Sequence, residues 1–240
     1  MSPRLNALGQ PIGAQLPDWR PRALPPRQPI EGRYVRVEPI DERFAADLHA
    51  ANLQDRDGRN WTYLPYGPFA SERDYRHWMN ETCFGADPLF HAIVDRTTDR
   101  AAGLAAYLRI KPESGSIEVG HVCFSPLLQR ARGATEAMYL MMQRAFSLGY
   151  RRYEWKCDAL NGPSRAAAQR LGFSFEGIFR QATVYKDRSR DTAWYAVIDS
   201  EWPALARAFG TWLASANFDN SGRQQSRLSD LTRPLLANRG

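Results

Sequence analysis

Polar and apolar positions in this chain follow two periods in turn. Across residues 32–39, Tyr34 and Arg36 alternate with Val35 and Val37, which predicts a strand buried on one face. Residues 89–94 and 101–110 are more continuously apolar, and the polar turn Asp95-Arg96-Thr97-Thr98-Asp99-Arg100 makes them a hairpin. Residues 116–124 predict the next strand, which places Glu118 and His121 on opposite faces and ends at Ser125-Pro126. Residues 153–157 predict another. Residues 175–182 and 192–198 predict a closing pair around the turn Lys186-Asp187-Arg188.

The period lengthens between these runs. Asp41 offers an N-cap for a helix to about Leu53, and Ser71, with Asp74 three residues on, offers one to Thr82. From Ala134, the positions Met138, Met141, Met142, Ala145 and Leu148 form a core-facing stripe, and Gly149 stops that helix. A helix runs from Asn161-Gly162-Pro163-Ser164 to Leu171-Gly172-Phe173, and the last from Ser200 to about Ala214. Residues 1–31 are rich in proline and arginine and read as an extended surface arm; residues 32–214 form one domain; residues 215–240 read as a mobile polar, basic tail. No internal repeat is present.

Composition narrows the class. Of 240 residues, 43% are hydrophobic, enough for a substantial core. No apolar run approaches the ~20 residues that cross a bilayer, and there is no signal-peptide core, so a cytoplasmic protein is expected. Cys83, Cys123 and Cys157 have neither CxxC nor metal-ligand spacing, so buried, reduced thiols and no metal are expected. The net charge of +6 suits an anionic ligand. Nucleic acid is a weaker fit, because Arg151-Arg152 is a pair and not a basic patch interleaved with aromatics.

The candidate chemistry lies at Gln129-Arg130-Ala131-Arg132-Gly133-Ala134-Thr135, between a strand and a helix. Unpaired N–H groups of a helix's first turn, together with its dipole, favour an anion there. With the second block, a strand followed by Asn161-x-x-Ser164 and then Gly172-Phe173, this order resembles the GCN5-related N-acetyltransferase (GNAT) superfamily. Within it, the pattern is similar to the ribosomal-protein N-terminal acetyltransferase (RimJ/RimL-like) branch. The superfamily signature is Gln/Arg-x-x-Gly-x-Gly/Ala, often followed by Thr-Glu-Ala. Anchoring on Thr135-Glu136-Ala137 matches Gln129 and Ala134 and puts Arg132 where the first glycine belongs; the other frame, Arg130-x-x-Gly133, loses the last small residue to Thr135. The first frame keeps the downstream run in register. In it, Arg132 must swing out of the cradle or pair with a phosphate.

The resemblance implies an α/β (α+β) fold with a mixed central sheet of about six to seven strands, flanked by helices and splayed beside acetyl-coenzyme A. It implies acetyl transfer to a primary amine, of a small molecule or a protein N-terminus, through a ternary complex. It further implies cofactor contacts from Val122, Cys123 and Phe124 and from residues Gln129, Arg130, Ala131, Arg132, Gly133, Ala134, Thr135 and Asn161. Glu118 is the candidate base, with His121 as alternative. Tyr185 and Ser164 are the candidates for leaving-group protonation, because the position seven residues after Asn161, where many members carry a tyrosine, is Ala168. Asn161 serves equally as an N-cap. Trp61, Tyr63 and Tyr66 would wall the acceptor pocket and hint at a cationic or apolar acceptor, although their loop also reads as core packing. A degenerate acyl-coenzyme A sensor or interaction module is the alternative function, and monomer and homodimer both stay open.

Overall fold

The computed structural model describes residues 4–240, so the first three residues of the arm lie outside the described residues. A short hairpin, β1 (Arg4–Leu5) and β2 (Pro11–Ile12), precedes β3 (Ile30–Glu31) and β4 (Val35–Pro39). Then follow α1 (Ala45–Asn52), α2 (Glu72–Thr82), β5 (Leu89–Asp95), β6 (Arg100–Lys111), β7 (Ser116–Phe124) and α3 (Arg132–Ser147). The chain continues through β8 (Arg152–Asp158), α4 (Gly162–Arg170), β9 (Ser174–Tyr185), β10 (Arg188–Ile198), α5 (Trp202–Leu213) and α6 (Leu228–Thr232). Eight strands form one mixed sheet in the order β3-β4-β5-β6-β7-β8-β10-β9. The strand beyond the expected six or seven is β3, a two-residue edge rung on β4. Every pairing in the sheet is antiparallel except β7 with β8.

Both faces of the sheet are covered. One core gathers the methionine stripe of α3 with Phe209, Trp212 and Leu228; the other gathers Phe44, Leu48, Tyr75, Trp78 and Met79 from the α1–α2 side. Strands β5 and β6 lie between them and are buried on both faces, which is why they lack alternation. Local signals set the joints. Asp41 accepts from the Arg43 N–H at 2.9 Å and caps a 3-10 turn, Glu42–Phe44, that runs into α1, and Ser71 Oγ accepts from the Asp74 N–H at 3.1 Å. Lys186 and Asp187, with φ of 47° and 57°, make the two-residue turn that matches hairpin twist.

The cradle helix is tied to the sheet by a buried carboxylate. Glu136 Oε1 accepts from the Arg33 N–H at 2.8 Å, and its Oε2 from the Tyr34 and Val35 N–H groups at 2.6 and 2.9 Å. Gly32 leaves room for it, since a Cβ there would lie 2.5 Å from Oε2. Glu136→Ala strands three donors and is expected to cost about 3 kcal/mol, read as a lower urea midpoint with an unchanged m-value.

The C-terminal segment departs from the expected mobile tail. Leu228 and Thr232 are fully buried, Thr232 Oγ1 donates to the Arg170 carbonyl at 3.0 Å, and the Phe175 N–H donates to Asn238 O at 3.0 Å. A few apolar anchors without a period were enough to seat a polar segment. The described part of the arm docks on its own domain: Trp19 Nε1 donates to Glu113 O at 2.8 Å and the Tyr150 hydroxyl to Ala23 O at 3.1 Å.

His91, on β5, is fully buried with neither ring nitrogen hydrogen-bonded. Burial pushes its pKa down to about 4. The unfolded chain, with an imidazole pKa near ~6.5, binds the extra proton, so the contribution of neutral His91 is complete above that pH and is lost as pH falls towards 4. Stability is expected to drop by about 2–3 kcal/mol between pH 7.5 and 4.5 on this account, and His91→Phe to shrink that drop in paired urea titrations.

Candidate active site

The central feature is a ladder that stops early. Strands β7 and β8 pair in parallel from Ser116 and Arg152 to Val119 and Trp155; beyond these rungs β7 continues to Phe124 and β8 to Asp158 unpaired with each other. A bulge causes the parting. Gly120 faces Ala106 and Cys123 faces Leu104, so β7 spends three steps where β6 spends two. The extra residue bends the strand away from its neighbour. His121 takes the left-handed conformation there (φ 50°), held by a parallel stack on Tyr66 whose hydroxyl sits 3.1 Å from Nδ1.

On one side of the gap is a groove of about 410 Å³ at the head of α3. The helix begins at Arg132, two residues earlier than expected, and its N-cap, Ala131, offers no side-chain acceptor, so the first-turn N–H groups have no cap. Arg130 (φ 60°), Ala134 and Thr135 line the groove. Gly133 is buried against Val35, where a Cβ would lie 2.6 Å from Cγ1. Arg132 swings out of the cradle, and its guanidinium lies 3.8 Å from the Phe218 ring centroid. Gln129 also turns away: Nε2 donates to Phe124 O and to Asn60 Oδ1, each at 2.8 Å. Asn60 Nδ2 donates to the same Phe124 carbonyl at 3.2 Å, so both lone pairs of that oxygen are taken. Cys123 points into the α1–α2 core, leaving only its main chain for a ligand, and burial pushes its thiol up to about 12.

Arg170 went unread in the sequence. It stands on α4, 35 residues beyond Thr135, yet its Nη1 donates to Thr135 Oγ1 at 3.1 Å and it lines the groove. Burial lowers its pKa, and among the described residues no carboxylate pairs with it. A largely buried cation beside an uncapped helix start lacks an anion.

Across the gap lies a cavity of about 570 Å³, which meets the groove at Val122 and Trp155. Glu118, 3% exposed, sits in its lining, bonded by Arg109 Nη1 at 2.6 Å and Lys156 Nζ at 2.7 Å. Burial raises its pKa above the ordinary carboxylate value and outweighs the lowering by the two cations. Lys156 also bonds Glu154 at 2.6 Å and lies 3.8 Å from the Trp194 centroid. His121 is pushed down to about 4 by burial and by Arg109, so it is neutral at neutral pH. The Tyr185 hydroxyl donates to Asp158 Oδ2 at 2.9 Å; burial and that bond hold its pKa up at about 12. Ser164 Oγ accepts from Trp155 Nε1 at 3.1 Å, while Asn161 Oδ1 caps α4 through the Ser164 N–H at 3.1 Å. Asp158, Lys156, Arg109 and Asn60 were not picked out from the sequence, because their partners lie on distant strands.

The expected aromatic wall is corrected in part. Tyr63 lines the cavity, but Trp61 is buried in the α1–α2 core and Tyr66 packs against that core while bracing His121, so both stay out of the cavity lining. Their carbonyls are used instead. Lys186, at the tip of the β9–β10 hairpin, donates to the carbonyls of Trp61, Tyr66 and Gly67 at 2.8, 3.1 and 2.9 Å, and Arg188 to Thr62 O at 2.7 Å. The tip is thereby fastened across the aromatic loop.

Comparison with known proteins agrees with this architecture. The model of the acetyltransferase (GNAT) domain matches residues 35–174. A GCN5-related N-acetyltransferase from Brucella melitensis is 46% identical; the match covers 91% of this chain and 100% of that one, with a TM-score of 0.89. The uncharacterized N-acetyltransferase YnaD of Bacillus subtilis is 26% identical over 157 residues, 65% of this chain and 90% of its own. The ribosomal L7/L12 alpha-N-protein acetyltransferase RimL, in complex with coenzyme A, shares the fold at 20% identity, with a TM-score of 0.58 over 70% of this chain and 97% of that one. No helix among the described residues is long and apolar enough to cross a membrane.

Proposed function

The chain belongs to the acetyltransferase (GNAT) family, and from that premise we propose that it moves an acetyl group from acetyl-coenzyme A to a primary amine by direct attack in a ternary complex. One observation carries the reading: two cavities of suitable size meet where β7 and β8 part, at Val122 and Trp155. The groove takes the cofactor. Its diphosphate rests on main-chain N–H groups between Arg130 and Thr135 other than that of Ala131, which donates to the Leu128 carbonyl, with the Arg130 and Arg170 side chains as counter-charges. The pantetheine arm pairs with the free edge of β7 around Val122 and Cys123, near Asn161.

The cavity takes the amine. An ammonium has no lone pair, and with a pKa near ~10 little free base exists at neutral pH. Glu118, its proton affinity raised by burial, receives the proton through water, and Arg109 and Lys156 hold the carboxylate in place. The nitrogen then attacks the thioester carbonyl carbon and loses its surplus proton to water, the C–S bond breaks, and the departing thiolate takes a proton. Tyr185 is the candidate donor and Asp158 orients it; Ser164 is the second hydroxyl in reach of α4's start. The test is a thermal shift with acetyl-coenzyme A, followed by free-thiol release against a panel of amines. Stabilisation with thiol release is expected; stabilisation without release on any amine would turn the assignment into an acyl-coenzyme A sensor.

A further inference from the structure

The amine-side cavity carries more positive than negative charge, and two of its cations, Lys111 and Arg190, have no counter-charge among the described residues. Arg109, Lys111, Lys156 and Arg190 line it against two carboxylates, Glu118 and Asp158. Both carboxylates are already engaged, Glu118 by Arg109 and Lys156, Asp158 by the Tyr185 hydroxyl and the Leu160 N–H. An incoming polycation would find no unpaired acid to hold its second charge.

Of these two cations, Lys111 is exposed and Arg190 is half-buried in the cavity wall. It lies on β10 one alternation from Thr192, whose rung partner on β8 is Asp158, so it faces the same cavity as Thr192 and Trp194. Its Nε donates to Thr192 Oγ1 at 3.2 Å, and its guanidinium carbon stands 5.7 Å from the Tyr185 ring centroid. Among the described residues no carboxylate lies within ion-pair distance of it. The outer edge of the guanidinium, the pair of donors that grips a carboxylate or phosphate in two parallel bonds, is left for a ligand.

Resting on the acetyl-transfer reading, we propose that the acceptor is a primary amine bearing its own acidic group, a carboxylate or a phosphate, which Arg190 holds while the amine faces Glu118. The cavity then recognises a dipolar molecule. Its negative end is taken by Arg190 on the hairpin wall and its amine end by the Glu118 side. Exclusion works in the same geometry, because a second positive charge on the acceptor would be placed beside Arg190 and Arg109 with no compensation.

Matched pairs test this: phenylalanine against phenylalaninamide, phosphoethanolamine against ethanolamine, and spermidine as the polycation. The two pairs separate a carboxylate from a phosphate. In at least one pair the acid-bearing member is expected to have a kcat/KM about tenfold higher or more, and Arg190→Gln to erase that preference by raising its KM about tenfold, with the KM of the neutral member unmoved. Preference for the neutral members or for spermidine would overturn the proposal, and so would an equal loss on both members of each pair in Arg190→Gln. Should no amine release thiol, acetyl transfer itself fails, and the anion site is judged by thermal shift with coenzyme A present. Stabilisation by phosphoethanolamine or phenylalanine but not its neutral partner, abolished in Arg190→Gln, supports the site; no such difference overturns it.

Discussion

Replacing Ala134 by aspartate is expected to weaken acetyl-coenzyme A binding at least about a hundredfold while leaving the thermal midpoint unchanged or slightly higher. The same field accounts for both halves of this result. The uncapped first turn of α3 presents positive ends of peptide dipoles. A carboxylate built into that turn satisfies them, which helps the helix, and it occupies with negative charge the place where a diphosphate would rest. A merely structural turn would gain stability and lose nothing else. Calorimetric titration of acetyl-coenzyme A into both proteins checks the affinity, and a melting curve checks the fold. An unchanged affinity would remove the diphosphate from this groove. Ala134 is the position to use because it lines the groove, whereas Gly133 has no space towards Val35 and Thr135 is held by Arg170.

The second large effect concerns Glu118. Glu118→Gln is expected to lower kcat by about 10²–10³ with acetyl-coenzyme A affinity unaltered, because shape and burial are kept while the proton acceptor, and with it the charge facing Arg109 and Lys156, is lost. Lys156 retains Glu154 in the variant, so its charge is not left alone. The pH profile gives the sharper readout. A base works when deprotonated, so wild-type activity falls as pH drops through the pKa of Glu118. Because burial raises that pKa, the fall begins at a higher pH than an ordinary carboxylate would give. In Glu118→Gln the residual rate should lack this acid limb. A variant that keeps the limb and most of the rate would move the base elsewhere, with neutral His121 the nearest alternative.

Legibility of the fold followed the range of the interactions. Ser71 and Asn161 announce their helices because a cap acts within three residues, and the structure bears out both bonds; Asp41 caps a 3-10 turn, Glu42–Phe44, that leads into α1, whose own N-cap Phe44 makes no side-chain bond. The start of α3 was misplaced by two residues for the complementary reason: Ala131 carries no capping group to see. The C-terminal segment defeated a periodicity argument, since Leu228 and Thr232 fill a gap beside α4 without forming a stripe. The candidate site was readable as a place and much less as a set of contacts. The motif located the groove, and Thr135-Glu136-Ala137 fixed the frame, but Glu136 proved to serve the backbone of Arg33, Tyr34 and Val35. The cations around Glu118 come from β6 and β8, and the one facing Thr135 from the end of α4. Such pairs are set by strand order and by the bulge at His121, neither of which leaves a local trace in the residues concerned. Trp61 shows the converse: an aromatic in a promising loop was packing material, and its carbonyl mattered more than its ring.

The fastening of Lys186 onto three carbonyls of the aromatic loop has a consequence for how such a protein diversifies. Two segments some 120 positions apart are thereby tied into a single clasp. Grafting either one from a relative with different tastes would leave a lysine without seats or seats without a lysine. New selectivity in this scaffold therefore has to arrive by paired exchange of both segments, or by swapping side chains that hang inside the clasp without disturbing its three bonds.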